Sequence, residues 1–147
     1  MLQIGSFPFL FKKGKLHIML IMNSARRQWI LPKGNPEHHL KHYEVAEMET
    51  LEEAGVTGKI VDKKLYKEFE TAEGNTLRIY PLHIDTILDK WPEDYFRKRE
   101  LLKVEQALDR INREEYIKAI KYFSSPDKSP LFDKHLKKKH PELIPKT

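Results

Sequence analysis

Short apolar runs separated by turn residues dominate the first third of the chain, a pattern typical of β-strands. Residues 7–11 and 16–22 are such runs, and residues 12–15 between them contain the glycine of a hairpin turn. The second run is almost continuously apolar, as expected of a strand covered on both faces. A third extended segment at residues 27–31 ends before Pro32, which disfavours helical geometry in the residue that precedes it.

The pattern becomes helical at residues 43–54. Val45, Met48 and Leu51 recur every three residues, and Gly55 follows as a C-terminal stop. The sequence therefore predicts one helix directly after the β-rich segment.

Two strand-like runs follow this helix, at about residues 59–69 and 76–86, joined by a turn at residues 73–75. In the second run the apolar positions change parity at Pro81. This change predicts a bulge or an edge position at the proline.

A last strand is predicted at residues 97–103, and helices at residues 104–111 and 113–123. Strands around one helix, with further helices gathered at the end, predict an α/β domain in which a sheet packs against helices. We expect residues 1–125 to form this domain. Residues 126–147 are expected to be a basic C-terminal extension that packs on it or trails from it.

Composition narrows the class of protein. A chain of 147 residues with 39% hydrophobic and 33% charged residues is typical of one soluble globular domain. The absence of cysteine excludes disulfides and thiolate metal sites. No apolar run approaches the roughly 20 residues that span a bilayer, and the N-terminus lacks the features of a signal peptide. We therefore expect no membrane association and a cytoplasmic location.

The net charge of +5 does not identify a partner. Residues 134–147 carry five lysines against one glutamate, so the rest of the chain is close to neutral. A basic terminus attracts phosphates in principle, but such a segment is more often a solvated end.

Three glutamates carry the first indication of chemistry. Glu49, Glu52 and Glu53 lie at i, i+3 and i+4, which places them on one face of the predicted helix. Like charges at this spacing destabilise a helix, whereas a hard cation such as Mg²⁺ would bind the same carboxylates. Since glutamate is a good helix former, the alternative is a solvated acidic face.

The segment around these glutamates resembles the Nudix box. That pattern opens on a glycine, places an arginine and several glutamates on a helix, and closes on a glycine followed by an apolar residue. Here Gly34 is the opening glycine, Glu49 follows the arginine position, Glu52 and Glu53 form the pair, and residues 55–56 close the box. The run from Gly34 has the length of the box without a gap.

The resemblance implies the Nudix fold, a mixed β-sheet sandwiched between helices. It also implies an enzyme that uses Mg²⁺, or Mn²⁺, to hydrolyse a phosphoanhydride in a nucleoside diphosphate linked to another moiety. The implied metal ligands are Glu49, Glu52, Glu53 and the carbonyl of Gly34. Glu52 or Glu53 would double as the general base, and the sequence does not choose between them.

The flanking residues concern the substrate. Residues 29–33 are similar to the lead-in of members that act on dinucleoside polyphosphates or diphosphoinositol phosphates, so a small nucleotide or inositol polyphosphate is the expected substrate. Lys33, Arg26 and Arg27 are candidates to bind its phosphates, with solvated turn residues as the alternative. A base from outside the box, such as Glu93, Asp94 or Glu100, stays an alternative to Glu52 and Glu53.

Three positions depart from the box: Leu40 replaces a glutamate, Met48 replaces the arginine, and Thr50 stands at a usually apolar position. Because a buried ion pair can be exchanged for an apolar pair at little cost, Leu40 and Met48 are hypothesised to pack together. Two further functions follow as alternatives. One is a catalytically impaired module that binds a nucleotide or a protein, and the other is hydrolysis at an RNA 5′ end, for which the basic terminus is the support.

Overall fold

The computed structural model describes residues 1–143, apart from the side chains of Lys134, His135 and Glu142. The strands are β1 (Leu2–Lys12), β2 (Lys15–Asn23), β3 (Gln28–Ile30), β4 (Lys33–Gly34), β5 (Val56–Ile60), β6 (Lys67–Glu70), β7 (Thr76–Ile87) and β8 (Arg99–Lys103). The helices are α1 (His42–Ala54), α2 (Val104–Arg110), α3 (Glu114–Ser124) and α4 (Lys134–Lys139), with 3-10 turns at Pro130–Phe132 and Pro141–Leu143.

The strands form one mixed sheet. Its main path runs β3-β2-β1-β7-β5, while β4 pairs with β1, β6 with β7, and β8 with β2. The pairing of β1 with β7 is parallel, and the other pairings are antiparallel. The predicted mixed sheet is confirmed.

Helices cover both faces of this sheet. Successive side chains of β1 point to opposite faces, so the partners of two residues of different parity show which helix covers each face. Ile4 packs with Val45 of α1 in one buried cluster. Phe7, of the opposite parity, stacks on Phe123 of α3 with ring centroids 5.1 Å apart. The sheet therefore lies between α1 and α3, and the predicted sandwich is confirmed.

The first predicted hairpin is confirmed. β1 and β2 pair from Phe9 with Ile18 to Lys12 with Lys15. The two turn residues, Lys13 and Gly14, have φ values of 52° and 76°. Positive φ at both positions matches the twist of the flanking strands, which is why this turn closes a tight hairpin.

Two predictions about the middle of the chain were wrong. The run predicted as one strand at 59–69 is two strands, β5 and β6, which pair with successive halves of β7. Pro81 is neither at a bulge nor at an edge, because β7 is continuous and lies inside the sheet. The proline sits where β7 exchanges β6 for β5, and its carbonyl accepts a hydrogen bond from the Val61 N–H at 3.0 Å. The register irregularity lies instead between Thr57 and Gly58.

The C-terminal segment contributes to the main core. Leu131, Leu136 and Leu143 are buried in the same cluster as Phe7. The division of the chain at residue 125 stays a prediction. Residues 144–147, which include Lys146 of the predicted basic terminus, lie outside the described residues. In the described part of the chain, every helix is too short or too polar to cross a bilayer.

Candidate active site

The loop that opens the box is docked on β1. Gly34 pairs with Ile4, and Lys33 pairs with Gly5. The Ser6 N–H donates to the Pro32 carbonyl at 3.1 Å. A Cβ on Gly5 would lie 2.6 Å from that carbonyl oxygen, so the close approach of loop and strand requires a glycine there.

Helix α1 begins and ends at defined residues. The Glu44 carboxylate accepts from the Lys41 N–H at 2.9 Å, which satisfies a backbone donor at the N-terminus. Gly55 ends the helix with a φ of 64°, and its N–H donates to the Leu51 carbonyl at 3.0 Å. The left-handed conformation explains why a glycine follows the helix, and the predicted stop is confirmed.

Arg99 supplies the cation that the last turn of α1 lacks. Its Nη1 donates to the Ala54 carbonyl at 2.8 Å and to the Gly55 carbonyl at 3.3 Å. Its guanidinium stacks over the Trp91 ring at 3.8 Å, and the Trp91 Nε1 donates to the Glu53 carbonyl at 3.1 Å. Trp91 of the β7–β8 loop and Arg99 of β8 therefore hold the helix end that carries the glutamates.

The structure brings Gly34, Glu49 and Glu53 together. The Glu53 Oε1 accepts from the Lys33 N–H at 2.9 Å, and Glu53 is only 9% exposed. Glu49 lies within electrostatic range of Glu53 and is half-buried. A Cβ built on Gly34 would collide with the Glu49 carboxylate, so the missing side chain makes room for it. Two carboxylates thus converge beside the backbone of Gly34, which carries no side chain.

Burial and mutual repulsion disfavour the charged form of both carboxylates. Burial raises the pKa of Glu53 to about 8, and the charge of Glu49 adds to this, whereas the Lys33 N–H opposes it. Burial also raises the pKa of Glu49 to about 7, with the charge of Glu52 as the next cause. The pair is therefore partly protonated at neutral pH. A cation bound at this place would neutralise the charge of the two carboxylates.

These residues fit a hard divalent cation, which takes carboxylate and carbonyl oxygens as ligands. The fit rests on Gly34, Glu49 and Glu53. Glu52 lies within electrostatic range of Glu49. However, no group of three or more His, Cys, Asp or Glu side chains among the described ones is placed so that it could hold a metal. The role of Glu52 as a ligand stays a prediction.

Arg97 is a residue of this site that the sequence did not single out. Its Nη2 lies 2.7 Å from the Glu93 Oε1 and 3.7 Å from the Glu53 Oε2. Its Nη1 donates to the Met22 carbonyl at 3.2 Å, and the Glu93 N–H donates to the Glu52 carbonyl at 3.1 Å. The guanidinium thus connects the box helix, the β7–β8 loop and β2.

The three alternative bases occupy different places. Glu93 is connected to the site by its ion pair with Arg97. Asp94 accepts from the Trp91 N–H at 3.1 Å and stabilises the loop. Glu100 pairs at the surface with Arg110.

The structure places the three predicted phosphate-binding residues in different surroundings. The Lys33 side chain is part-buried, and burial lowers its pKa while the charge of Glu53 opposes this effect. Arg26 lines a cavity of about 410 Å³ together with Arg113. Arg27, at a φ of 53°, lines a second cavity of about 230 Å³ with Phe96. Arg26 and Arg27, although adjacent in the chain, therefore face different cavities.

The departures from the box have different outcomes. Thr50 is fully buried, and its hydroxyl donates to the Ala46 carbonyl at 2.6 Å and bonds with the Ser6 hydroxyl at 2.6 Å. A polar residue is therefore satisfied at this position. Leu40 packs against the buried cluster around Val45. The proposed contact of Leu40 with Met48, which is half-buried, stays a prediction.

Three site residues escaped the sequence reasoning: Arg97, Arg99 and Arg113. Arg113 is the first residue of the helix predicted at 113–123 and directly precedes α3, but helical periodicity gives no indication of its ionic partners. Arg97 and Arg99 offered one signal, because alternate positions near the start of a strand place both side chains on one side.

Comparisons with known proteins give relatives but no family model, since a scan against family models finds no match. The chain is 32% identical over 127 residues to diphosphoinositol polyphosphate phosphohydrolase 3-beta of Bos taurus, covering 79% of this chain and 76% of that protein. It is 31% identical over 113 residues to Nudix hydrolase 21, chloroplastic, of Arabidopsis thaliana, covering 72% of this chain. The match spans 57% of that plant protein.

Solved structures agree on the fold. An Ap4A hydrolase binary complex from C. elegans superposes with a TM-score of 0.64 at 18% identity, covering 84% of this chain and 94% of that one. The NUDIX domain of Shewanella oneidensis NrtR, complexed with ADP ribose, superposes with a TM-score of 0.68 at 12% identity. That match covers 82% of this chain and 84% of the NrtR domain.

Proposed function

Because this chain belongs to the Nudix hydrolase family, we propose that it hydrolyses a phosphoanhydride in a nucleoside diphosphate linked to another moiety, such as a dinucleoside polyphosphate. A curated relative is named a diphosphoinositol polyphosphate phosphohydrolase and a structural neighbour an Ap4A hydrolase, and both names support hydrolysis of a phosphoanhydride. A small nucleotide or an inositol polyphosphate is therefore the proposed substrate.

The observation that carries the proposal is the convergence of Glu49 and Glu53 beside Gly34. The residues that would hold Mg²⁺, or Mn²⁺, are these two glutamates, the carbonyl of Gly34 and Glu52. When bound, the cation supplies charge neutralisation at the phosphate oxygens and lowers the pKa of the attacking water.

The protein's own residues would orient the reaction. The Lys33 N–H and the Arg97 guanidinium fix the two oxygens of Glu53 from different sides. We favour Glu53 over Glu52 as the proton acceptor, because burial and the hydrogen bond from the Lys33 N–H hold its carboxylate in place. The Lys33 and Arg26 side chains would bind phosphate groups on the side of the larger cavity. Arg27 would bind a phosphate group at the smaller cavity.

A hydrolysis assay tests this function. Diadenosine tetraphosphate, a diphosphoinositol polyphosphate and ADP-ribose are incubated with Mg²⁺ and the wild-type protein, Glu53→Gln, or Glu100→Gln. We expect turnover of at least one substrate and a loss of about 100-fold or more in Glu53→Gln, since a positioned acid–base group contributes that much. Glu100→Gln removes the same charge from a surface pair and is expected to retain activity.

The same assay separates the alternatives. Absence of turnover for every substrate, together with tight binding of one, would contradict hydrolysis and support the binding module, which the replaced box residues Leu40 and Met48 favour. An RNA with a 5′ triphosphate forms a further arm. If Lys137, Lys138 and Lys139 are changed to glutamine, which spares the buried Leu136 and Leu143, and RNA affinity is unchanged, the role of the basic terminus at an RNA 5′ end is refuted.

A further inference from the structure

The larger cavity, of about 410 Å³, is lined by charged residues within electrostatic range of Lys33, whose N–H donates to Glu53 at the candidate active site. It lies between the turn from β2 to β3, the turn from β6 to β7 and the N-terminus of α3. The Lys33 side chain links the two places, because it is within electrostatic range of Glu53 on one side and of Arg113, Glu115 and Glu73 on the other. A phosphate chain that starts at the glutamate pair and passes Lys33 would therefore enter this cavity.

The cations of the cavity are already engaged by one carboxylate. Arg113 donates from Nη2 to the Glu73 Oε1, and the Arg26 Nη1 lies 3.8 Å from the same oxygen. Glu73 thus holds both arginines from the β6–β7 turn. A carboxylate between two guanidinium groups occupies the place that a phosphate group would take.

The second carboxylate on Arg113 has a different character. Glu115 lies 3.1 Å from the Arg113 Nη2, and its side chain is only 4% exposed. Burial of this pair makes it part of the fold, since a buried charge that loses its partner is costly. Glu115 therefore orients the Arg113 guanidinium from inside the fold. The second ion pair of Arg113, with Glu73, lies at the surface.

Glu73 is displaceable without a change of the backbone. Its side chain is 43% exposed, and Arg26 is 64% exposed. The turn itself is held by main-chain hydrogen bonds, from the Gly74 N–H to the Thr71 carbonyl at 3.0 Å and from the Thr71 N–H to the Asn75 carbonyl at 2.9 Å. Rotation of one side chain would release both arginines.

We propose that Arg113 and Arg26 bind a phosphate group of the substrate distant from the scissile bond, and that Glu73 is a specificity-determining residue which competes with that group for both arginines. A terminal phosphate group carries more charge than a carboxylate and has three acceptor oxygens to share between the two guanidinium groups, so it displaces Glu73. Ligands whose phosphates do not reach the cavity leave Glu73 in place. The proposal rests on the proposed function for its choice of substrate, but the binding it describes does not require hydrolysis.

Calorimetric titration with inorganic tripolyphosphate in EDTA tests the competition in the absence of turnover. Glu73→Gln is expected to bind the probe about fivefold more tightly than the wild type, the scale of a surface ion pair removed. Glu114→Gln is the matched control, because Glu114 lines the same cavity but makes no ion pair among the described residues. We expect its affinity to change less than about twofold.

A double-mutant cycle ties the effect to the arginines. In Arg26→Gln and in Arg113→Gln the gain from Glu73→Gln should shrink or vanish, because the competed partner is absent. Should Arg113→Gln fail to fold, as its buried partner Glu115 makes possible, the exposed Arg26 still completes the cycle. Equal gains from Glu73→Gln and Glu114→Gln, or a gain that persists without both arginines, would overturn the proposal. A protein without hydrolase activity that shows the expected affinities would refute the proposed function alone.

Discussion

Gly34 contributes to the site through the side chain that it lacks. The Glu49 carboxylate occupies the space where a Cβ would stand. The glycine therefore lets a ligand carboxylate approach the backbone carbonyl that is proposed to share the cation. Its role is spatial, since its φ is not in the positive range.

Gly34→Ala is expected to lower activity by about 10- to 100-fold, the range seen when groups that orient metal ligands are altered. The stability loss should be small, because the atoms in conflict are the flexible end of Glu49. Initial rates and thermal unfolding check both parts. Gly14→Ala is the control, since Gly14 has open space around it but a φ of 76°, so it should cost about 1 kcal/mol of stability and leave the rate unchanged. Equal rates for Gly34→Ala and the wild type would refute the role of the glycine.

At the residue scale, the sequence predicted those contacts that depend on spacing within one helix. Glu49 and Glu53 are four residues apart on a helix, so their convergence follows from helical geometry. Gly34 was identified only through the resemblance, because its contact with Glu49 spans a loop. Arg97 and Arg113 contact Glu53 and Glu73, which are distant in the chain, so a single sequence does not show these partners.

At the element scale, α1 depends on a residue of β8. The Arg99 guanidinium binds the terminal carbonyls of the helix and stacks on Trp91. Carbonyls at a helix C-terminus are unpaired and carry the negative end of the helix dipole, so a cation there is stabilising.

Arg99→Lys is expected to destabilise the protein by about 1–3 kcal/mol, because lysine keeps the charge but loses the planar fork and the stacking. Arg110→Lys alters an exposed pair with Glu100 and should leave the urea midpoint close to that of the wild type. Urea unfolding of the two variants makes the comparison. If both variants unfolded at the same urea concentration, Arg99 would have no special role at the helix end.

The predicted elements failed where pairing, rather than pattern, decides the structure. Residues 59–69 have one strand-like pattern, yet β7 is long enough to pair with two strands in succession. Pro81 tolerates the interior of the sheet because it falls at the gap between those two partners. Neither fact can be derived without knowing which strand lies beside which.

At the scale of the whole molecule, the raised pKa values of Glu49 and Glu53 make folding depend on pH. Both groups have an ordinary pKa of 4.5, against about 7 and about 8 in the folded protein. Between these values the folded state binds more protons than the unfolded state, so the free energy of unfolding falls as the pH rises from about 4.5 to about 8. Repulsion is fully present above that window, where a bound cation would remove it.

Thermal unfolding in EDTA should therefore occur at a lower temperature at about pH 8.5 than at about pH 6, and Mg²⁺ should recover more stability at the higher pH. In Glu53→Gln one of the two repelling charges is absent, and the dependence on pH should be weaker. An unfolding temperature of the wild type that rises across the window would contradict this explanation.

The most direct test of the metal site is calorimetric titration of Mg²⁺ into the wild type, Glu53→Gln and Glu100→Gln at about pH 8.5, where protons compete less with Mg²⁺ for the carboxylate pair. The account predicts saturable binding to the wild type and to Glu100→Gln, and an affinity at least about 10-fold lower in Glu53→Gln. Identical binding isotherms for all three proteins, or no binding to the wild type, would contradict it.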